Sequence, residues 1–150
     1  LRENYYLDDG AYLMTKIVIK MAQMGKEGKK LDSLIKDLKD PAESCELRPT
    51  IKEEDFRAYG NSVIEDLEKF ALQKEGWTIA DDNREGIRVF LDKDHGDGWF
   101  LLRLSVHDPL MPFNAESDSV GGVKIIVKEA YSFFESCNGL DIGVIENYIK

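Results

Sequence analysis

Three polar side chains stand at alternate positions in the second half of the chain, Arg103, Ser105 and His107. They follow the apolar stretch 98–102 directly. A guanidinium, a hydroxyl and an imidazole on one short loop can together donate hydrogen bonds to an oxyanion such as phosphate. The pattern therefore predicts a buried strand that ends in an oxyanion-binding loop.

Each of these residues also has an ordinary structural interpretation. Arg103 can pair with one of the chain's many acids, Ser105 can stabilise a turn, and His107 can be a surface histidine. The other histidine, His95, stands in a turn between two aspartates, where a solvated turn is favoured over a metal site.

The residues around the loop predict the elements that position it. An alternating pattern predicts strands at 86–92 and 98–105, joined by the tight turn 94–98. A third strand is expected at 111–116, and Asp118 or Ser119 is expected to cap a helix that runs to about residue 136.

Helical spacing of apolar residues predicts four more helices, and residues 42–48 predict another strand. The helices are expected over residues 9–24, 31–38, 60–75 and 141–149. Asp8 or Asp9 is expected to cap the first of them, which is predicted to be amphipathic to buried. From residue 42 onward the order predicts an α+β fold, a small antiparallel sheet with helices packed on one face. Residues 1–40 lie outside that pattern.

Composition excludes several classes of protein. The chain has 150 residues and a formal net charge of −9, which argues against nucleic acid and anionic membranes as general partners. No apolar run is long enough for a membrane span. Cys45 and Cys137 are too few and too far apart for a metal cluster or a disulfide scaffold, so we expect two reduced thiols. The opening residues Leu1–Asn4 contain no initiator methionine or signal peptide, and we expect an intracellular fragment of a longer protein.

The segment 103–109, Arg-Leu-Ser-Val-His-Asp-Pro, resembles the phosphate-binding loop of the α-D-phosphohexomutases, the phosphoglucomutases and phosphomannomutases. That loop usually reads Arg-Pro-Ser-Asn/Gly-Thr-Glu-Pro. Residues 83–89 resemble a strand of the same family, and residues 7–12 resemble the start of a helix that follows its sugar-recognition loop. Leu104, Val106 and His107 depart from the pattern, and Val106 can offer only its backbone N–H.

The resemblance implies that Arg103, Ser105, Val106 and His107 bind the non-transferring phosphate of a hexose phosphate while another phosphate moves between the 1- and 6-positions. It places Mg²⁺, the phosphoserine and the hexose 1,6-bisphosphate in the full-length protein, so this fragment alone is expected to be inactive. The partners expected are hexose phosphate and the other domains of the same chain, in the cytoplasm or a plastid.

The same resemblance implies a division of the chain. Residues 1–40 would be the last helices of a third mutase domain, 41–58 a linker and first strand, and 59–150 the C-terminal phosphate-binding domain. A hinge is expected near residues 39–50. The alternative is a divergent, inactive paralogue whose domain serves as a regulatory or interaction module, as the substitutions in the loop suggest.

Overall fold

The computed structural model describes residues 9–150, and the chain divides between Asp40 and Pro41 into two compact units. The predicted capping residue Asp8 and the opening residues Leu1–Asn4 lie outside the described part. In residues 9–150, no helix combines the length and apolar character that a bilayer crossing requires. The two units are described separately below.

The first unit contains helix α1, Gly10–Lys26. Asp9 caps it, because its carboxylate accepts a hydrogen bond of 3.0 Å from the backbone N–H of Tyr12. The predicted burial of its apolar face is wrong, since Met24 is the only buried residue of α1. The exposed side chains include most of the apolar ones: Leu13, Met14, Ile17, Val18, Ile19 and Met21.

The second helix predicted for this unit is much shorter than expected. Residues Leu31–Leu34 form a single 3₁₀ turn, and Leu38 lies beyond it, fully exposed. A short apolar repeat without a side-chain cap cannot offset the cost of helix nucleation unless it packs against something.

The second unit has the predicted α+β fold. Its strands are β1 Glu43–Leu47, β2 Thr50–Ile51, β3 Trp77–Ile79, β4 Ile87–Leu91, β5 Gly98–Leu102, β6 Phe113–Ser117 and β7 Leu140–Asp141. Five of them form an antiparallel sheet in the order β1-β6-β5-β4-β3, and β2 and β7 form a separate antiparallel pair. The helices are α2 Phe56–Ala71, α3 Gly122–Phe134 and α4 Gly143–Ile149.

Alternation along the strands decides which face of the sheet becomes the core. In β5, Phe100 and Leu102 are fully buried, whereas Trp99 and Leu101 are only partly covered. Phe100 stacks on Phe113 of the neighbouring strand at 5.1 Å between ring centroids. The buried side chains of α2 and α3 complete the same core, so the helices cover one face only.

The start of α3 differs from the prediction. Neither Asp118 nor Ser119 caps it; the carboxylate of Glu43 in β1 accepts hydrogen bonds from the N–H groups of Gly121 (2.8 Å) and Val123 (3.4 Å). The Ser119 hydroxyl donates to the Asp97 carboxylate at 2.7 Å. A distant acid therefore satisfies helix donors that local sequence was expected to satisfy.

Two further elements of this unit differ from the sequence prediction. Helix α2 begins four residues early, since the Asp55 carboxylate accepts from the N–H of Ala58 at 3.0 Å. The short edge strand β3 was not predicted, because three residues are too few to show a period. Cys45 and Cys137 are free, as expected.

Candidate anion-binding site

The loop between β5 and β6 is an extension of their hairpin. The N–H of Arg103 donates to Pro112 (3.1 Å) and the N–H of Ser105 donates to Leu110 (2.9 Å), which continues the register of the ladder. Side chains alternate along such an extension. Arg103 and Ser105 are therefore on the face of the sheet that the helices do not cover, and both are half-buried.

The tip of this loop presents backbone donors to solvent. The N–H groups of Val106 and His107 have no hydrogen-bond acceptor within residues 9–150. Val106 is 66% exposed, and the N–H of Asp108 reaches the Ser105 hydroxyl at a long 3.4 Å. Two consecutive N–H groups without acceptors follow a hydroxyl and a guanidinium along this loop, and donors of these types suit an anion.

The back of the loop is fixed to the rest of the second unit. Pro109 accepts a hydrogen bond from the N–H of Ile51 (2.8 Å), and the N–H of Met111 donates to Pro49 (2.9 Å). On the other side, the guanidinium of Arg57 in α2 donates to the carbonyl of Val106 at 3.0 Å. The donors thus belong to a loop that is held from two directions.

The charge of Arg103 interacts with that of Glu46 in β1. Glu46 of β1 pairs with Arg48 and accepts a hydrogen bond of 3.1 Å from the Asn114 amide. The hydrogen bond from Arg48 holds the pKa of Glu46 below its usual range, and Asn114 and the charge of Arg103 act in the same direction. Arg103 therefore has an acid for a neighbour, although its guanidinium makes no hydrogen bond within the described residues.

Sequence reasoning missed Arg48, Arg57 and Glu46 as neighbours of this site. Arg57 is 49 positions from Val106 along the chain, so no local motif connects the two residues. The alternation of β1, in which Glu46 is exposed and Leu47 half-buried, is the signal that could have placed Glu46 on the uncovered face. Nothing in the sequence indicates that this face meets Arg103.

The four residues predicted to bind phosphate lie in one loop, and the structure adds their surroundings. Arg103 and Ser105 continue the strand, whereas Val106 and His107 form the exposed tip. His95 is at the opposite end of β5, where its Nδ1 lies 2.7 Å from an Asp92 carboxylate oxygen. Within residues 9–150, no three metal-ligating side chains come together there or elsewhere.

The chemistry that this loop can perform is binding. A guanidinium, a hydroxyl and two N–H groups can neutralise and orient an oxyanion. Among the described residues around the loop, no nucleophile is paired with a base at hydrogen-bond distance. The donor types of this loop therefore suit the binding of an oxyanion.

No family model matches this sequence, and no curated protein matches it significantly. Its structure is similar to the solved crystal structure of a phosphoglucomutase/phosphomannomutase family protein from Burkholderia thailandensis. The TM-score is 0.57 at 20% sequence identity over 90% of this chain. The fold is that of a phosphohexomutase C-terminal region. At this level of identity, the likeness concerns the fold.

The match covers a limited part of the solved protein. The chain spans 25% of the length of the Burkholderia protein, so most of that protein has no counterpart in these 150 residues. The activity of a complete phosphohexomutase is therefore considered below only as a proposal.

Proposed function

We propose that this chain is the C-terminal part of a phosphohexomutase and that the loop 103–109 binds the phosphate that is not being transferred. The observation that carries the proposal is the donor set at the end of β5. Arg103 and Ser105 share one face there, and two free N–H groups follow them. The similarity in fold to a phosphoglucomutase/phosphomannomutase family protein supports the same proposal.

In this proposal the loop positions the substrate and makes no covalent bond. Transfer of a phosphoryl group depends on alignment and on neutralisation of charge, and a second phosphate on the sugar is a suitable anchor for both. The Mg²⁺ ion and the hexose 1,6-bisphosphate intermediate belong to the full-length protein. The fragment alone binds hexose phosphate and is inactive.

The division of the chain belongs to the same proposal. Residues 1–40 would complete a preceding mutase domain, residues 41–58 would be the linker and first strand, and residues 59–150 would form the phosphate-binding domain. The exposed apolar side chains of α1 support the first assignment, since a helix of this composition normally packs against a larger core.

The test is an NMR titration of the chain with glucose 1,6-bisphosphate and, separately, with inorganic phosphate. We expect the amide signals of residues 103–108 to shift at millimolar ligand, and we expect Arg103→Ala to abolish most of the shift. Lys128→Ala in α3 is the matched control, because it removes one positive charge away from the loop. Equal shifts in both variants would contradict the role of Arg103.

The full-length protein offers a second measurement. There we expect Arg103→Ala to raise KM or lower kcat/KM, at a cost of about 2–4 kcal/mol in binding free energy, because a charged clamp on the substrate is lost. Unchanged kinetics would reject the assignment.

One observation favours a second function. Val106 provides no side-chain donor, and Glu46 places a negative charge beside Arg103. These features fit a divergent, inactive paralogue whose domain serves as a regulatory or interaction module. A full-length protein that folds, does not convert hexose phosphates and shows no phosphate-dependent shift in the loop would support that function.

A further inference from the structure

We propose that the first two turns of α2 are a positioning element for the anion-binding loop, in which Arg57 orients the Val106–His107 peptide group and Gly60 receives the Leu104 side chain. This inference rests on the proposed function of the loop. It assigns a role to two residues of α2 that contribute no donor to the anion.

The first contact acts through the geometry of a peptide bond. Arg57 donates to the Val106 carbonyl at 3.0 Å, and the chain contains no cis peptide bond. In a planar trans peptide, the carbonyl of one residue and the N–H of the next point in opposite directions. By holding the Val106 carbonyl toward α2, Arg57 turns the His107 N–H away from α2.

Arg57 is itself fixed at the start of its helix. Asp55, two residues earlier, caps α2 by accepting a hydrogen bond from the N–H of Ala58. The guanidinium also lies 5.6 Å from the centre of the Phe56 ring. The bond to Val106 is exposed, so we expect it to contribute little to global stability. Its effect should appear in the orientation of the loop.

The second contact lies one helical turn farther along α2. A Cβ atom added to Gly60 would lie 2.5 Å from one methyl carbon of Leu104 and 3.3 Å from a methyl carbon of Ile51. The absence of a side chain at Gly60 therefore leaves the space that Leu104 fills. Leu104 replaces the proline usual in the phosphohexomutase loop, and its packing supplies rigidity that a proline ring would otherwise give.

The test compares variants that disturb each contact separately in the 150-residue chain. We measure the residual dipolar coupling and the ¹⁵N relaxation of the His107 N–H, and the affinity for inorganic phosphate by NMR titration. We expect Arg57→Met to change the His107 coupling, to increase motion at residues 106–107, and to weaken phosphate binding about three- to tenfold. Arg57→Lys keeps the charge and should restore part of the affinity.

Gly60→Ala tests the second contact without any change in charge. Alanine favours the helix, so α2 should persist while the new methyl group displaces Leu104. We expect weaker phosphate binding and altered loop signals, and Gly60→Ala/Leu104→Ala should recover part of both because it removes the steric conflict. The unfolding midpoint of each variant shows whether the fold is intact.

The outcomes separate this inference from the proposed function. If the unmodified chain binds no phosphate but Arg57→Met and Gly60→Ala still alter the His107 coupling, the positioning element stands and the phosphate assignment fails. If both variants leave the His107 coupling and the phosphate affinity unchanged, the positioning element is rejected.

Discussion

The two ends of β5 have similar residues and opposite character. The turn before β5, residues 92–98, contains a histidine, three aspartates and two glycines. The loop after β5, residues 103–109, contains a histidine, an aspartate and a serine. The first is held together by the side chains of Asp92 and Ser117, whereas the tip of the second leaves the N–H groups of Val106 and His107 without an acceptor in the described chain.

Polar groups of the turn before β5 form hydrogen bonds with one another and with Ser117. One carboxylate oxygen of Asp92 accepts from the N–H groups of Asp94 and His95 and contacts the His95 ring. Ser117, which is 1% exposed, donates to the Gly96 carbonyl at 2.6 Å and accepts from the Ser119 N–H at 3.0 Å. Polar groups that satisfy one another in this way stabilise a fold.

In the loop after β5, two carbonyl groups accept hydrogen bonds from other elements, and two N–H groups have no acceptor. The carbonyl of Val106 accepts from α2 and that of Pro109 from β2, whereas the N–H groups of Val106 and His107 are free within the described chain. Residue type alone therefore does not identify a binding site. The two ends differ in which of their polar groups have hydrogen-bond partners within the fold.

The largest expected effect is a difference in the free energy of unfolding between two matched serine substitutions, one at each end of β5. Ser117→Ala leaves the buried Gly96 carbonyl without its donor, and we expect it to lower the free energy of unfolding by about 1–3 kcal/mol. Ser105→Ala removes only a long, exposed contact and should cost less than about 0.5 kcal/mol. Chemical denaturation measures both, and equal losses would contradict the contrast.

The pH dependence of stability tests the hydrogen bond between Asp92 and His95 in the turn before β5. The hydrogen bond to Asp92 raises the pKa of His95, and the hydrogen bond to His95 lowers the pKa of Asp92. For a raised histidine pKa, the added stability is fully present below about pH 6.5 and is lost as pH rises through the folded-state value. For the aspartate, stability is present above about pH 3.9 and is lost as pH falls through the lowered pKa.

We therefore expect the thermal midpoint to decrease as the pH is raised from 5.5 to 8. We expect a smaller decrease in Asp92→Asn. Asp94→Asn is the control, because Asp94 makes no side-chain hydrogen bond to the His95 ring within the described residues. A parallel decline in the unmodified protein and in Asp92→Asn would show that the pair does not stabilise the turn.

The smallest effect is expected from Glu46→Gln, which should change the phosphate affinity of the loop. Removing this carboxylate takes a negative charge away from Arg103, and phosphate affinity should rise about two- to fivefold at low salt. Glu116→Gln in β6 is the matched control, since Glu116 stands opposite Trp99, farther back along the strand. A similar rise in both variants would indicate a general effect of net charge.

The sequence predicted the elements whose patterns are long and local. The hairpin of β4 and β5, the strand β6 and the helix α3 were all expected near their observed positions. Failures occurred where a pattern is short, as in β3 and the single turn at Leu31–Leu34, and where an apolar helix face stays exposed, as in α1. The cap of α3 was mispredicted because Glu43 is 78 positions from Gly121.

The sequence by itself determined the α+β class of the second unit and the placement of Arg103, Ser105, Val106 and His107 in one loop. These features follow from alternation and from adjacency along the chain, which are local properties. Only the tertiary structure decided that Arg57 holds this loop and that Glu46 lies beside its arginine. Contacts between residues about fifty positions apart depend on strand order and helix docking, and no local pattern encodes either one.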